Sequence, residues 1–180
     1  MRIIVFGANG RQGSRLVTEA LERGHDVTAA VRSADRAHGI DPRATVVVAD
    51  ALDPARVAQV SAGHDAAINA TRERHADIAR ALLEGLSRAG VKRLIVVGGA
   101  SSLEVAPGVR LFDTPVEWTY VSPGALLEPG ERTGSYRTGT EQLLVADDGR
   151  SRISMEDFAV ALLDEAERPQ HSNRRFTAAY

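Results

Sequence analysis

Cysteine is absent from this chain, which excludes disulfides, thiolate metal sites and cysteine nucleophiles together. Lysine is nearly absent: Lys92 stands alone against 21 arginines. No apolar run approaches the ~20 residues that span a bilayer. The first apolar segment starts at residue 3, so no signal peptide is expected. Neither sign of charge is in excess: the formal net charge of −2 gives nucleic acid and anionic membranes no reason to bind. No His/Asp/Glu spacing suggests a metal. What remains is ordinary, 43% hydrophobic and 26% charged residues over 180 positions, and it predicts one cytoplasmic domain with a real core.

Residues 3–6, Ile-Ile-Val-Phe, form the continuous apolar run of a parallel strand buried on both faces. The turn Gly7-Ala8-Asn9-Gly10-Arg11-Gln12-Gly13 follows, then a helical stripe of Leu16, Val17, Ala20 and Leu21, then a second strand over 27–31. The glycines are spaced G-x-x-G-x-x-G. Each has a task if a dinucleotide lies here: Gly7 turns the chain, Gly10 admits a pyrophosphate, and Gly13 lets the helix pack close. Asn9, Arg11 and Gln12 complete that turn at the helix start, whose free N–H groups favour phosphate. A tight strand–helix turn without ligand is the alternative. The second strand ends at Arg32, 19 residues beyond Gly13, where NAD sites carry a carboxylate and NADP sites an arginine. Arg32, Ser33 and Arg36 supply a fork, a hydroxyl and a second cation, so NADP(H) is the expected cofactor. The alternative is that Arg32 is a solvated strand-end cation.

A third strand over 45–50 ends at Asp50 and Ala51, which either meet an adenine ring or, for Asp50, cap the next helix. Asp53-Pro54 opens a helix over 55–61. The fourth strand, 64–70, has Asn69-Ala70-Thr71 at its carboxyl end, on the side where open α/β sheets bind ligands. Ile78, Ala81, Leu82, Leu86 and Ala89 stripe a helix over 75–89 that Gly90 stops. A strand over 94–97 runs into Gly98-Gly99-Ala100-Ser101-Ser102. There Gly99 admits a bulky group, and Ser101 and Ser102 either hydrogen-bond an acceptor oxygen or satisfy local backbone. A strand over 118–121 leads to Pro123, placed to pack on a nicotinamide. This alternation predicts an α/β, doubly wound, mainly parallel sheet with helices on both faces. The fifteen residues between Ser102 and Trp118 carry Pro107, Gly108 and Pro115 and no helical stripe. They predict a crossover helix that is either lost or omitted from the chain as written, and an apolar patch beside Val97 and Val121. Further on, a short strand is expected over 142–146, a Ser154-Met155-Glu156-Asp157 capping box before a helix, and a last strand over 175–180. His25, His38, His64 and His171 read as solvated.

These residues together resemble the NAD(P)H-binding, NmrA-like atypical short-chain dehydrogenase/reductases, including the branch of flavin and biliverdin IXβ reductases. The similarity covers nearly the whole chain, 1–180, as one domain. It implies an NADP(H)-binding Rossmann-like fold with a substrate cleft over the strand ends. One departure concerns chemistry: no Tyr-x-x-x-Lys pair exists, because the single lysine is preceded four positions earlier by Arg88. The expected activity is therefore hydride transfer to a quinone-like, flavin or conjugated carbonyl acceptor that solvent protonates. The alternative is a non-catalytic, NADP(H)-binding redox sensor. The expected partner is a small-molecule substrate, and a homo-oligomer stays open.

Overall fold

The computed structural model describes residues 1–72, 74–98, 115–140 and 142–180. Gly99, Ser101, Ser102 and the expected missing crossover lie outside those residues. The chain begins with β1 (Arg2–Phe6), α1 (Arg11–Glu22), β2 (Asp26–Val31), a 3-10 turn (Ala34–Ala37) and β3 (Thr45–Val48). It continues with α2 (Pro54–Ser61), β4 (Ala66–Asn69), α3 (His75–Ala89), β5 (Arg93–Val97) and β6 (Glu117–Pro123). The remainder gives β7 (Leu126–Glu128), β8 (Arg137–Gly139), β9 (Arg152–Ser154), α4 (Met155–Glu167) and β10 (Arg174–Ala179).

Eight strands form one sheet in the order β3-β2-β1-β4-β5-β6-β10-β8, parallel throughout except that β8 runs antiparallel to β10. β7 and β9 pair separately, in parallel. Phe6 stands level with Ala30 on one side and Asn69 on the other, so the central strands end together. The strand order reverses between β1 and β4, which opens a crevice above their carboxyl ends.

Alternation along β1 explains why both sheet faces are buried. Ile3 and Val5 join α1 and α4 through Leu16, Val17, Phe158 and Leu162. Ile4 and Phe6 join α2 and α3 through Val57, Ile78, Leu82 and Leu86. Each fully buried Leu, Ile or Phe contributes about 1.5–3 kcal/mol relative to exposure. The ends of the elements follow their residues. Gly24 and Gly90 take φ of +79° and +74° just past α1 and α3. Asp53 caps α2 by accepting from the N–H groups of Ala55 and Arg56, and Ser154 caps α4 through Asp157. Lys92 is exposed in the connection from α3 to β5, at the amino end of the sheet.

Two expectations are corrected. Residues 142–146 form no strand: Leu143 and Val145 are exposed, so the segment has no apolar face to lay on the sheet. Nor do β5 and β6 expose an apolar patch among the described residues. Val121 is fully buried against Phe158 and Phe176, while Trp118 and Tyr120 join the core on the opposite face. α4 therefore covers one face of these strands.

Candidate active site

The glycine turn sits directly over the crevice. Gly7, at φ +77°, donates its N–H to Ala30 O at 3.2 Å and lies so near Ala70 that a Cβ would approach its carbonyl to 3.0 Å. A Cβ on Gly13 would stand 2.0 Å from Gly7 O, so α1 rests on the turn's backbone. Gly10 precedes α1 without a side-chain cap, and no acidic residue occupies the first helical turn. The N–H groups at the start of α1 therefore lack side-chain caps and counter-charges, the condition that suits an anion.

Two hollows flank this turn. The first, about 380 Å³, lies over β1–β3 and is bordered by Gly7, Asn9, Gly10, Asp50, Ala51 and Ala70. Four arginines also line it: Arg32, Arg36, Arg72 and Arg74. Arg32 and Arg72 have no ion-pair partner among the described residues, and Arg36 only approaches Asp35, at 3.9 Å. Arg74 pairs with Asp77 at 3.1 Å from a left-handed backbone (φ 52°, ψ 42°) that costs about 1–3 kcal/mol. Asp50 holds Leu52 N on one carboxylate oxygen at 3.0 Å. The cap of α2 belongs to Asp53 instead, so the helix-cap alternative for Asp50 is withdrawn.

The second hollow, about 520 Å³, lies over β5 and β6. Arg11, Gln12, Val97, Pro123, Leu126 and Met155 border it, with Glu128 as the carboxylate among its described lining. Gly10, Ala70, Thr71 and Arg72 border both hollows, so the two meet at the switch point. Gln12 donates from Nε2 to Met155 O at 3.0 Å, which ties α1 to α4, and its Oε1 is buried without a hydrogen bond among the described residues.

Three sequence candidates lie outside both hollows. Gly13 is packing beneath the turn, and Ser33 precedes the 3-10 turn. Asn69 is buried and accepts from Thr71 N and Oγ1 at 3.1 and 2.7 Å, presenting Thr71 to the crevice. Thr71 closes the Asn69-Ala70-Thr71 stretch expected on the ligand side of β4, whereas Arg72 and Arg74 were not singled out from the sequence, although their position just past β4 is itself the signal.

The remaining polar groups are committed elsewhere. Three histidines expected to be solvated are held: His25 by Glu167 at 2.8 Å, His64 by Thr28 at 2.8 Å, and His171 by Glu165 at 2.9 Å. Tyr136 donates to Asp164 at 2.6 Å, and burial together with that carboxylate pushes its phenol well above the usual range. Tyr180 donates to Asp157 at 2.7 Å. Among the described residues, no cluster of three or more His, Cys, Asp or Glu is arranged to hold a metal, and no helix is long and apolar enough to cross a membrane.

A parallel sheet reversing beneath a glycine turn, with an uncapped helix start between two joined hollows, defines a dinucleotide-binding α/β protein. The chain belongs to the NAD(P)H-binding family, whose family model matches residues 7–114. It is 36% identical to the Bacillus subtilis protein YwnB, of uncharacterised function, over 98% of this chain and 97% of that one. That alignment runs over 211 positions, more than the 180 residues here, so YwnB carries segments with no counterpart in this chain. A solved Burkholderia pseudomallei structure, provisionally named an exported protein, superposes with a TM-score of 0.86 at 39% identity, covering 100% of both chains. A Streptococcus pneumoniae structure provisionally named an NADH-flavin reductase superposes at 0.80 with 29% identity, covering 99% of both chains.

Proposed function

We propose that this protein is an NADPH-dependent reductase that passes a hydride to a quinone-like, flavin or conjugated carbonyl acceptor without a Tyr–Lys pair. The observation that carries this reading is the pair of hollows meeting at Gly10, Ala70, Thr71 and Arg72 over the switch point. The residues fit a phosphorylated dinucleotide. Asp50 has a second carboxylate oxygen for an adenine amino group, and Ala51 follows it. Arg32 and Arg36, with Ser33 nearby, face a 2′-phosphate where no carboxylate ends β2. The start of α1 and the turn from Gly7 to Gly13 take the pyrophosphate. Pro123 and the segment after Asn69 bound the nicotinamide side, and Gln12 Oε1 is an unused acceptor there.

Bound NADPH supplies the hydride; the chain supplies position. The described lining of the second hollow includes no His, Tyr or Lys, so the proton that balances the hydride comes from water. That suits acceptors whose reduced oxygen or nitrogen protonates readily. Ser101 and Ser102, with Gly99 beside them, are proposed to hold the acceptor oxygen. A cytoplasmic location belongs to the same proposal, because NADPH is the reagent. The test combines calorimetric titration of NADPH and NADH with steady NADPH oxidation over a panel of quinones and flavins. Tighter NADPH binding with turnover is expected. Equal affinities remove the NADPH assignment, and binding without turnover leaves the redox-sensing regulator.

A further inference from the structure

We infer that the Gln12 side chain accepts a hydrogen bond from the carboxamide amine of the nicotinamide and so fixes how that ring is turned; this rests on the reductase reading above. Gln12 is the second residue of α1, inside the turn assigned to the pyrophosphate, yet it borders the second hollow rather than the first. One ribose separates a dinucleotide's pyrophosphate from its nicotinamide, so a long side chain leaving the turn on this side meets the ring. The residue is 8% exposed. Its Nε2 donates to Met155 O at 3.0 Å, which orients the amide and leaves Oε1 as the atom without a task. That oxygen is buried and receives no hydrogen bond among the described residues. A buried acceptor left unsatisfied carries a penalty, and a donor that reaches it from the hollow relieves that penalty on binding.

The rest of the described wall narrows what that donor belongs to. Val97, Pro123, Leu126 and Met155 receive the flat face of a ring and offer its edge no side-chain hydrogen bond. Main-chain N–H groups along the wall are spent. Gly98 donates to Val121 O at 2.7 Å, Gly124 to Ala178 O at 3.1 Å, Ala125 to Ser151 Oγ at 3.1 Å and Leu126 to Ser151 O at 2.9 Å. Pro123 has no N–H to give. A ring seated here is therefore oriented through a donor of its own, and on nicotinamide that donor is the carboxamide amine. Without such a bond the ring turns about its glycosidic linkage and presents either face. One fixed hydrogen bond removes that freedom before the acceptor arrives.

An acetyl group in place of the carboxamide keeps the carbonyl and deletes the amine, so NADP⁺ and its 3-acetylpyridine analogue test the contact directly. Both are titrated by calorimetry into the unmutated protein, Gln12→Met and Gln12→Glu. NADP⁺ is expected to bind about tenfold tighter than the analogue, the scale of satisfying one buried acceptor. In Gln12→Met the gap closes to about twofold or less, because a thioether of similar length accepts only weakly. In Gln12→Glu, which keeps an acceptor, the gap persists although both affinities fall beside the pyrophosphate. Equal affinity of the unmutated protein for the two dinucleotides overturns the inference, and that comparison needs no variant to fold. A closed gap in Gln12→Glu overturns it too. So does an equal loss of both ligands in Gln12→Met, which would make Gln12 a tie between α1 and α4 or a partner of the ribose. Binding of neither dinucleotide removes the reductase reading itself, whereas equal binding of both leaves that reading standing and removes only the role of Gln12.

Discussion

At the amino end of the sheet, Arg93 is 6% exposed and its guanidinium lies 2.5 Å from Glu165, which also accepts from Thr119 and from the ring and backbone of His171. At the carboxyl end, Arg32 and Arg72 are exposed, line the crevice, and have no carboxylate partner among the described residues. The same side chain serves two ends of one molecule differently. A buried arginine without its carboxylate would destabilise the fold, so its partner is built in. An arginine left unpaired at the rim of a concave site keeps its hydrogen bonds for a molecule that arrives later. The same contrast holds on the helical face away from the crevice, where Glu19 takes both Arg23 and Arg132, and Arg23 also reaches Asp164 and Glu167.

Acid should break the paired regions first and most completely. Hydrogen bonds from Arg132 and Arg23 hold the Glu19 carboxyl below its usual range against burial. At Glu165, burial opposes ionisation, but hydrogen bonds from His171 and the charge of Arg93 outweigh it, again lowering its value. Carboxylates that titrate lower when folded contribute stability above their ordinary value of 4.5 and lose it as the pH falls further. Melting temperature should therefore stay level down to about pH 5 and then collapse, and a melting point unchanged at still lower pH would undo the contrast. Next in size, Arg93→Met should cost about 3 kcal/mol in urea denaturation, the low end for a broken buried pair because His171 still supports Glu165. Its NADPH affinity should be unchanged. Arg32→Ala should do the reverse, losing about 1.5–3 kcal/mol of NADPH binding by calorimetry with NADH affinity and melting unaffected. A fall in stability there would mean that the rim arginines also hold the fold. Smallest, Tyr136→Phe should cost about 1 kcal/mol of stability by removing one hydrogen bond to Asp164.

Most of the fold could be read from local pattern because its elements are long and periodic. The stripe from Ile78 to Ala89 with Gly90 behind it locates α3 to the residue, and the glycines locate β1 and α1. The three-residue strands β7, β8 and β9 are too short to show a period, so the last third of the chain resisted the same reasoning. The site divides similarly. Gly7, Gly10, Arg32 and Asp50 announce themselves by spacing from strand ends. Arg72 and Arg74 stand in a polar connection just past β4, where position alone points to the crevice and no spacing or period marks the individual side chains. The histidines misled for a related reason: the partners of His25 and His64 lie 142 and 36 positions away, beyond any local window, and Glu165 faces His171 only because the chain turns back after α4.

The chain's one lysine has a practical consequence. Lys92 is exposed where α3 hands over to β5, on the end of the sheet opposite both hollows. Chemistry directed at amines, whether a fluorophore, a biotin or a coupling resin, finds Lys92 and the amino group of Met1, which directly precedes β1 at the same end of the sheet. A surface coated through Lys92 would carry every molecule standing on its back, crevice outward and open to whatever flows past.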